Sequence, residues 1–288
     1  MAIHEPVAAV PAKPPKYGIF ASLGGAQALS DGRWEFGFKF LPEGCGLSGA
    51  VELECAGTTP EVDGLTQPSV IEGDPFVVFS EDRCSTFGWQ SRDWQGRAKR
   101  QLIATRSYQI AKEVWSGLIT TTAGLSNIPL TDPTSTTVGT GPMAARHALA
   151  CVEAALGQCC QGCVGLVHMT PQMLTELAAF PNVIMLAGGT WVTANGHVVI
   201  PDAGYDGSGP GGTPAGATQW IYGTSMMGLR STDIITIPAS DEDMGAQMVR
   251  ETNDMLVTAY QVVGVQWDNC CHIAAEVDIP VCVVGGNS

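Results

Sequence analysis

Residues 91–116 read SRDWQGRAKRQLIATRSYQIAKEVWS, and this stretch decides how the rest of the chain is read. No glycine or proline interrupts residues 97–116, and Gly117 follows where a helix would end. Ser91 is placed to cap the start. Ile103, Ile110 and Val114 share one stripe, with Ser107 and Ala111 between them. The spacing predicts one long helix over 91–116. Arg92, Arg97, Lys99, Arg100, Arg106 and Lys112 all lie on it, in a chain with 14 basic residues and a net charge of −14. It is a basic bar in an acidic protein. The simpler reading is a solvated face paired with nearby carboxylates. The functional reading is a face that meets acidic neighbours in an assembly.

Before the helix, Pro6, Pro11, Pro14 and Pro15 punctuate an arm that can form neither a helix nor a central strand. Such an arm is extended and orders by lying on something else. Residues 33–40, Arg33-Trp34-Glu35-Phe36-Gly37-Phe38-Lys39-Phe40, alternate. This pattern places Trp34, Phe36, Phe38 and Phe40 on one face of a strand. Val51, Leu53 and Cys55 repeat the alternation, and the glycines and prolines around them read as long hairpins. Residues 75–79 read as a further strand.

After the helix, residues 118–142 are rich in Thr, Ser, Pro and Gly and read as a connector. Ala145, Leu149, Val152 and Leu156 mark a helix to about Gln158. Residues 164–168 read as a strand. Thr170-Pro171 opens the next helix with a cap residue and a proline at the first helical position. Residues 191–200 form a hairpin turning at Ala194-Asn195-Gly196. Residues 204–216 hold six glycines and two prolines and read as an exposed loop. Residues 219–222 and 233–237 are strands. Ser240-Asp241-Glu242-Asp243 has the form of a helix start, with that helix running to about Arg250. Residues 255–267 fit helix or strand, with β-branched content favouring a strand towards the end. Residues 272–277 and 281–284 are strands.

With 288 residues, 45% of them hydrophobic, the chain can bury a large core. Mean hydropathy is +0.13, yet no run approaches a membrane span. The first residues lack the basic and apolar regions of a secretory signal. Net charge −14 argues against a general nucleic-acid binder; it suits a wall that must not adhere to DNA, and equally an acidic surface that keeps the chain in solution. The ten cysteines read as reduced, buried thiols.

No catalytic constellation stands out. Cys159-Cys160-Gln161-Gly162-Cys163 has the spacing of a metal knuckle, and Cys270, Cys271 and His272 are the candidates for a second ligand pair. On a strand, Cys270 and Cys271 would face opposite ways, which counts against joint ligation. Gly223-Thr224-Ser225-Met226-Met227 resembles a nucleophile elbow but ends in Met. The loop at 206–212 lacks the Lys-Ser/Thr of a phosphate loop. The expectation is no cofactor, no metal and no enzymatic activity.

The order of these parts resembles the major capsid proteins of tailed bacteriophages, the Hong Kong ninety-seven fold, which encapsulin shells share. Val164-Gly165-Leu166-Val167-His168-Met169-Thr170-Pro171 resembles that family's strand leading into a helix start. Thr190 through Ile200 resembles its following hairpin, and Gln219-Trp220-Ile221-Tyr222-Gly223 its strand after a flexible loop. Glu113-Val114-Trp115-Ser116-Gly117 and the close through Trp267-Asp268-Asn269-Cys270-Cys271-His272-Ile273-Ala274 resemble virion proteins of phages infecting actinobacteria.

The resemblance implies an α+β fold in five parts. These are an N-terminal arm (1–32), an E-loop region (33–75), a peripheral domain (76–141) with the spine helix at 91–116, an axial domain (142–237), and a return to the peripheral domain (238–288). It implies self-assembly into pentamers and hexamers of an icosahedral head around double-stranded DNA, without sequence-specific contact. Separate scaffolding, portal and decoration proteins would be partners, the membrane would not, and the shell would assemble in the host bacterial cytoplasm. An encapsulin-like compartment is the alternative, and a cysteine- or zinc-dependent enzyme a third. The candidate inter-subunit contacts are Trp34, Phe36, Phe38, Phe40, Arg97, Arg100, Arg106, Gly207, Gly209 and Gly211.

Overall fold

The structure, a computed structural model, describes residues 10–23, 32–42, 69–85, 93–239, 248–249, 252 and 254–281. Its elements in chain order begin with α1 (Ile19–Ser22), a 3₁₀ turn (Gly32–Phe36), β1 (Phe38–Phe40), β2 (Ile71–Gly73) and β3 (Phe76–Ser85). Next come α2 (Trp94–Ser116), α3 (Leu118–Ala123), β4 (Thr136–Met143), α4 (Ala145–Cys159), β5 (Leu166–Met169) and α5 (Pro171–Ala178). Then follow β6 (Ile184–Ala187), β7 (Thr190–Thr193), β8 (Val198–Pro201), β9 (Gln219–Thr224), β10 (Met227–Ser231) and β11 (Ile235–Ile237). Last are β12 (Met248–Val249), β13 (Asp254–Trp267) and β14 (His272–Val277).

The long helix starts at an Asx cap: Asp93 Oδ1 accepts the Gly96 N–H at 2.8 Å. That bond first, and Arg100 second, hold the Asp93 carboxyl below its ordinary value. Ser91 and Arg92 lie outside the described residues. The helix ends where Gly117 turns left-handed at φ 59. Glu113 completes the joint from inside. Its buried carboxylate accepts Ile119 N–H, Thr120 N–H and the Thr120 hydroxyl, each at 2.8 Å, and so caps α3. The apolar stripe differs from expectation at one place. Ile103 is 36% exposed, and Trp94, Ala98 and Leu102 take the inward positions of the first turns. One residue's shift rotates a side chain by 100° about a helix, so a sparse apolar pattern misplaces the stripe easily.

Two sheets flank α2. The five-stranded sheet is built on β13. Its one edge pairs with β3 over residues 254–263; its other edge pairs in turn with β12, β11 and β10, all antiparallel. The 255–267 stretch is therefore strand throughout. The expected helix from Ser240 falls mostly outside the described residues, and Met248–Val249, near its expected end, is strand. Val281, where a strand is expected to begin, is not in one, and residues 282–284 and the alternation of Val51, Leu53 and Cys55 lie outside the described residues.

The seven-stranded sheet has the order β4-β14-β9-β5-β8-β7-β6, with β4–β14 and β5–β8 parallel. All four residues of β5 are buried, as befits a strand covered on both faces. Its alternation divides the core. Val167 and Met169 join Leu149, Val152 and Leu156 of α4 and Met173 and Leu177 of α5. Leu166 faces the other way, with Tyr222 and Ala274, into the cluster around Ile110, Val114 and Trp115 of α2. The same cluster takes Phe76, Val78, Val257 and Ala259 from the five-stranded sheet. The helix α2 is thus the shared core of both layers.

Candidate functional site

The most telling surface is the face of the five-stranded sheet turned away from α2. Along β3, Phe76 and Val78 are buried while Val77 and Phe79 are exposed, Phe79 by 57%. The register sets Val77 opposite Val262, and Phe79 opposite Tyr260. Across β13, Tyr260 stands opposite Ile235 of β11, itself exposed. Phe79, Tyr260 and Ile235 form one cross-strand row, with Val77, Val262 and Ile237 beside it. Phe79 and Ile235 at the ends of this row are exposed, and Tyr260 between them is half-buried. A contiguous apolar patch on one sheet face marks an interaction surface. Met185 and Leu186, exposed on β6 at the edge of the seven-stranded sheet, add a second one.

The four aromatics of 33–40 do not share a strand face. Gly32–Phe36 is a 3₁₀ turn, and Gly37 at φ 111 breaks the chain before β1 begins. Trp34 turns inward and is 5% exposed; Phe36 turns outward and is 92% exposed. Phe38 and Phe40 stack with centroids 6.4 Å apart and line an apolar pocket with Phe76, Val114 and Trp267. Of the four, Phe36 is the one presented to solvent whole.

The three arginines have partners inside the chain. Arg97 Nε lies 3.1 Å from the buried Asp82 carboxylate, and its guanidinium lies over Trp94. Arg100 pairs with Asp93 at 3.1 Å. Arg106 donates to Gln261 Oε1 at 3.2 Å and stacks 3.7 Å above the Phe20 ring, where burial lowers its pKa.

The loop at 204–216 is not exposed along its whole length. Gly204, Tyr205, Gly207, Ser208 and Gly209 are buried; residues 211–214 are exposed. A Cβ on Gly209 would clash with the Trp220 indole nitrogen, whereas one on Gly211 would meet nothing within 4 Å. Gly209 serves close approach; Gly211, at φ 69, serves the turn. Gly209→Ala should therefore cost about 2 kcal/mol by overpacking, and Gly211→Ala about 1 kcal/mol for the left-handed backbone. Urea denaturation of the two variants checks this order.

Beneath the loop lies a buried polar cluster. The Thr224 hydroxyl donates to Ser225 O at 2.9 Å, so its oxygen accepts the Nε2–H of His168 at 3.0 Å. Nδ1 of His168 then accepts from the Tyr205 hydroxyl at 3.0 Å. Burial, with His272 second, lowers the His168 pKa to about 3; burial raises that of Tyr205. His168 has no exposed surface, so it reaches no substrate. The elbow-like Ser225 is buried too and donates to Asp268 O at 2.6 Å, away from that histidine. A strand, β10, follows it in place of a helix.

The cysteines correct another expectation. Cys159 and Cys271 form a disulfide. Cys270 and Cys271 lie in the turn before β14, not on a strand, and come to the end of α4. His272 is apart from them: its Nε2 donates to Leu130 O at 2.8 Å. No group of three or more His, Cys, Asp or Glu among the described residues is arranged to hold a metal ion.

No protein-family model and no curated protein matches the chain. Solved structures do. The capsid of Ralstonia phage GP4 matches with a TM-score of 0.55 at 11% identity, over 99% of this chain and 97% of its own. A structure of Mycobacterium phage Ogopogo matches with a TM-score of 0.54 at 15% identity, over 96% and 97%. A virus-like particle from Pyrococcus furiosus matches with a TM-score of 0.52 at 9% identity, over 89% and 91%. The chain has the α+β phage capsid fold, the Hong Kong ninety-seven-like fold, over nearly its whole length.

Proposed function

We propose that this chain is the major capsid protein of a tailed phage, assembling into pentamers and hexamers of a closed head around double-stranded DNA. The observation that carries the reading is full-length likeness to capsid proteins in a chain whose five-stranded sheet leaves the row Phe79, Tyr260 and Ile235 uncovered. An enzyme gains nothing from such a row; a shell subunit covers it with its neighbour. In this reading α2 is the spine helix of a peripheral domain completed by β3, β10, β11 and β13. The seven-stranded sheet with α4 and α5 is the axial domain. Residues 1–32 are the arm, anchored on its own subunit through α1 and otherwise laid on neighbours, and 33–75 contain the E-loop, with Phe36 as a contact. Residues 211–214 face the centre of each ring, and Arg97 and Arg100 reach acidic neighbours beyond their own carboxylates. The net charge of −14 supports a wall to which DNA does not adhere.

Negative-stain electron microscopy of the protein expressed alone, beside size-exclusion chromatography, tests this. Closed shells or rings of five and six are expected. A chain that stays monomeric at high concentration and in crowding agent overturns the reading. The likeness to a virus-like particle favours one alternative, an encapsulin-like compartment. Nucleic acid or protein inside the shells separates the two.

A further inference from the structure

Three cysteine sulfurs meet at one place that the shell reading leaves unused, and the turn beside them carries a fourth cysteine. The end of α4 carries Cys159 and Cys160, the turn after it carries Cys163, and the turn between β13 and β14 brings Cys271. Cys159 and Cys271 are bonded across 112 residues of sequence. Cys160 keeps a free thiol whose S–H donates to Cys271 Sγ at 3.1 Å. Cys163 is free as well, and its backbone N–H donates to Cys160 O at 3.2 Å. Gln161 at φ 51 and Gly162 at φ 89 turn the chain so that Cys163 returns to Cys160. Access to solvent falls from Cys163, which is exposed, to Cys160, 7% exposed, and Cys271, wholly buried; Cys159, at the far end of the row, is half-buried.

We propose that Cys163, Cys160, Cys271 and Cys159 form a thiol–disulfide relay, which carries a bond from a small external disulfide at the surface through the buried Cys160 and Cys271 to the Cys159–Cys271 position. From four thiols, the Cys163 thiolate attacks the external disulfide, and one external thiolate leaves. Cys160 attacks the Cys163 sulfur and expels the second external thiol, leaving Cys160–Cys163. Cys271 attacks Cys160 and releases Cys163. Cys159 attacks Cys271 and releases Cys160. Two electrons and two protons pass to the external disulfide, and the three internal steps keep one S–S bond throughout. The geometry suits the last exchange, with Cys160 Sγ 3.1 Å from Cys271 Sγ. The finished bond ties α4, seated on the seven-stranded sheet, to the turn by which the chain passes from β13 to β14. Closing so long a loop stabilises the folded subunit.

Burial pushes the Cys160 thiol up to about 12, with the Cys163 hydrogen bond and the nearby Asp268 charge acting the same way. Its thiolate is scarce near neutrality, so transfer through Cys160 should keep accelerating above pH 9, where an ordinary thiol with a pKa of about 8.5 levels off.

The test uses the full chain, reduced, freed of reductant without air, and mixed with oxidised glutathione. Samples are quenched in acid at intervals, alkylated and mapped by mass spectrometry. Glutathione should appear first on Cys163, Cys159–Cys271 should be the end product, and C163S should slow its formation at least tenfold. First labelling on Cys159, or an unchanged rate in C163S, overturns the relay. So does one tightly held zinc per chain with all four thiols kept reduced. If C163S fails to fold, the order of labelling in the unaltered chain decides alone.

Discussion

Replacing Asp202 by alanine is expected to destabilise the subunit by about 4 kcal/mol and to free the segment that precedes the aromatic turn. Asp202 is buried at the end of β8. Its Oδ2 accepts Ile19 N–H and the Ser107 hydroxyl, both at 2.8 Å, and its Oδ1 accepts Gly204 N–H at 3.0 Å. One carboxylate thus joins α1, the middle of α2 and the start of the glycine-rich loop. A hydrogen bond to a charged acceptor contributes about 1.5–3 kcal/mol, and an orphaned buried donor adds its own desolvation cost. Alanine orphans three donors at once. At this chain length the loss corresponds to a fall of roughly 8 °C in Tm. The release is read by chymotrypsin. Phe20, held under the Arg106 guanidinium, should be cut at least tenfold faster in the variant. Asp202→Asn is the control. It keeps the size and one acceptor oxygen but must present an amide N–H to one of the donors, so about half the loss is expected. An unfolding free energy within about 1 kcal/mol of the parent would remove Asp202 from this role.

What the residues revealed in advance follows from how many readings a pattern allows. The helix at 94–116 was legible because twenty residues without glycine or proline, stopped by Gly117, leave few alternatives. Thr170-Pro171 was legible for a similar reason, and the Thr170 hydroxyl does accept the Met173 N–H. The alternation at 33–40 misled because period two is satisfied by any short aromatic run, and Gly37 permits a φ of 111 that no period reveals. The loop at 204–216 misled because glycine has two uses. Composition cannot separate Gly209, which lets Trp220 approach, from Gly211, which turns the chain. The uncovered face of β3 was hidden for a different reason. Phe76-Val77-Val78-Phe79 is apolar on both faces, and only the position of α2 shows which one is covered. The Cys159–Cys271 bond spans 112 residues, and ten cysteines leave the pairing open until the turn at 268–271 is placed against α4.

The subunit should also be acid-labile in a way that one histidine controls. His168 is held neutral between a phenol that donates and a hydroxyl that accepts, and its folded pKa of about 3 lies below the ordinary 6.5. The unfolded chain therefore binds the extra proton first. His168 imposes no penalty above pH 6.5, and stability is lost as pH falls from there towards 3. The slope is about 1.4 kcal/mol per pH unit, or roughly 2–3 kcal/mol by pH 4.5. The groups facing the ring reinforce the sign. His272, itself lowered by burial, repels a charge on His168 when it is protonated, and the Tyr205 hydroxyl would have to turn away from a protonated Nδ1. Carboxylates titrate over the same range, so the wild-type curve alone is not diagnostic. The difference from His168→Gln is. Glutamine can donate to Thr224 but cannot take up a proton. At pH 8 the variant should be less stable by about 1–2 kcal/mol for the lost Tyr205 bond. By pH 4.5 that deficit should have vanished or reversed, because the wild type alone has paid for a buried, uncharged imidazole. Denaturant unfolding of both proteins from pH 8 to pH 4.5 gives the two curves. A gap that stays constant across the range would show that His168 does not take part in the acid response.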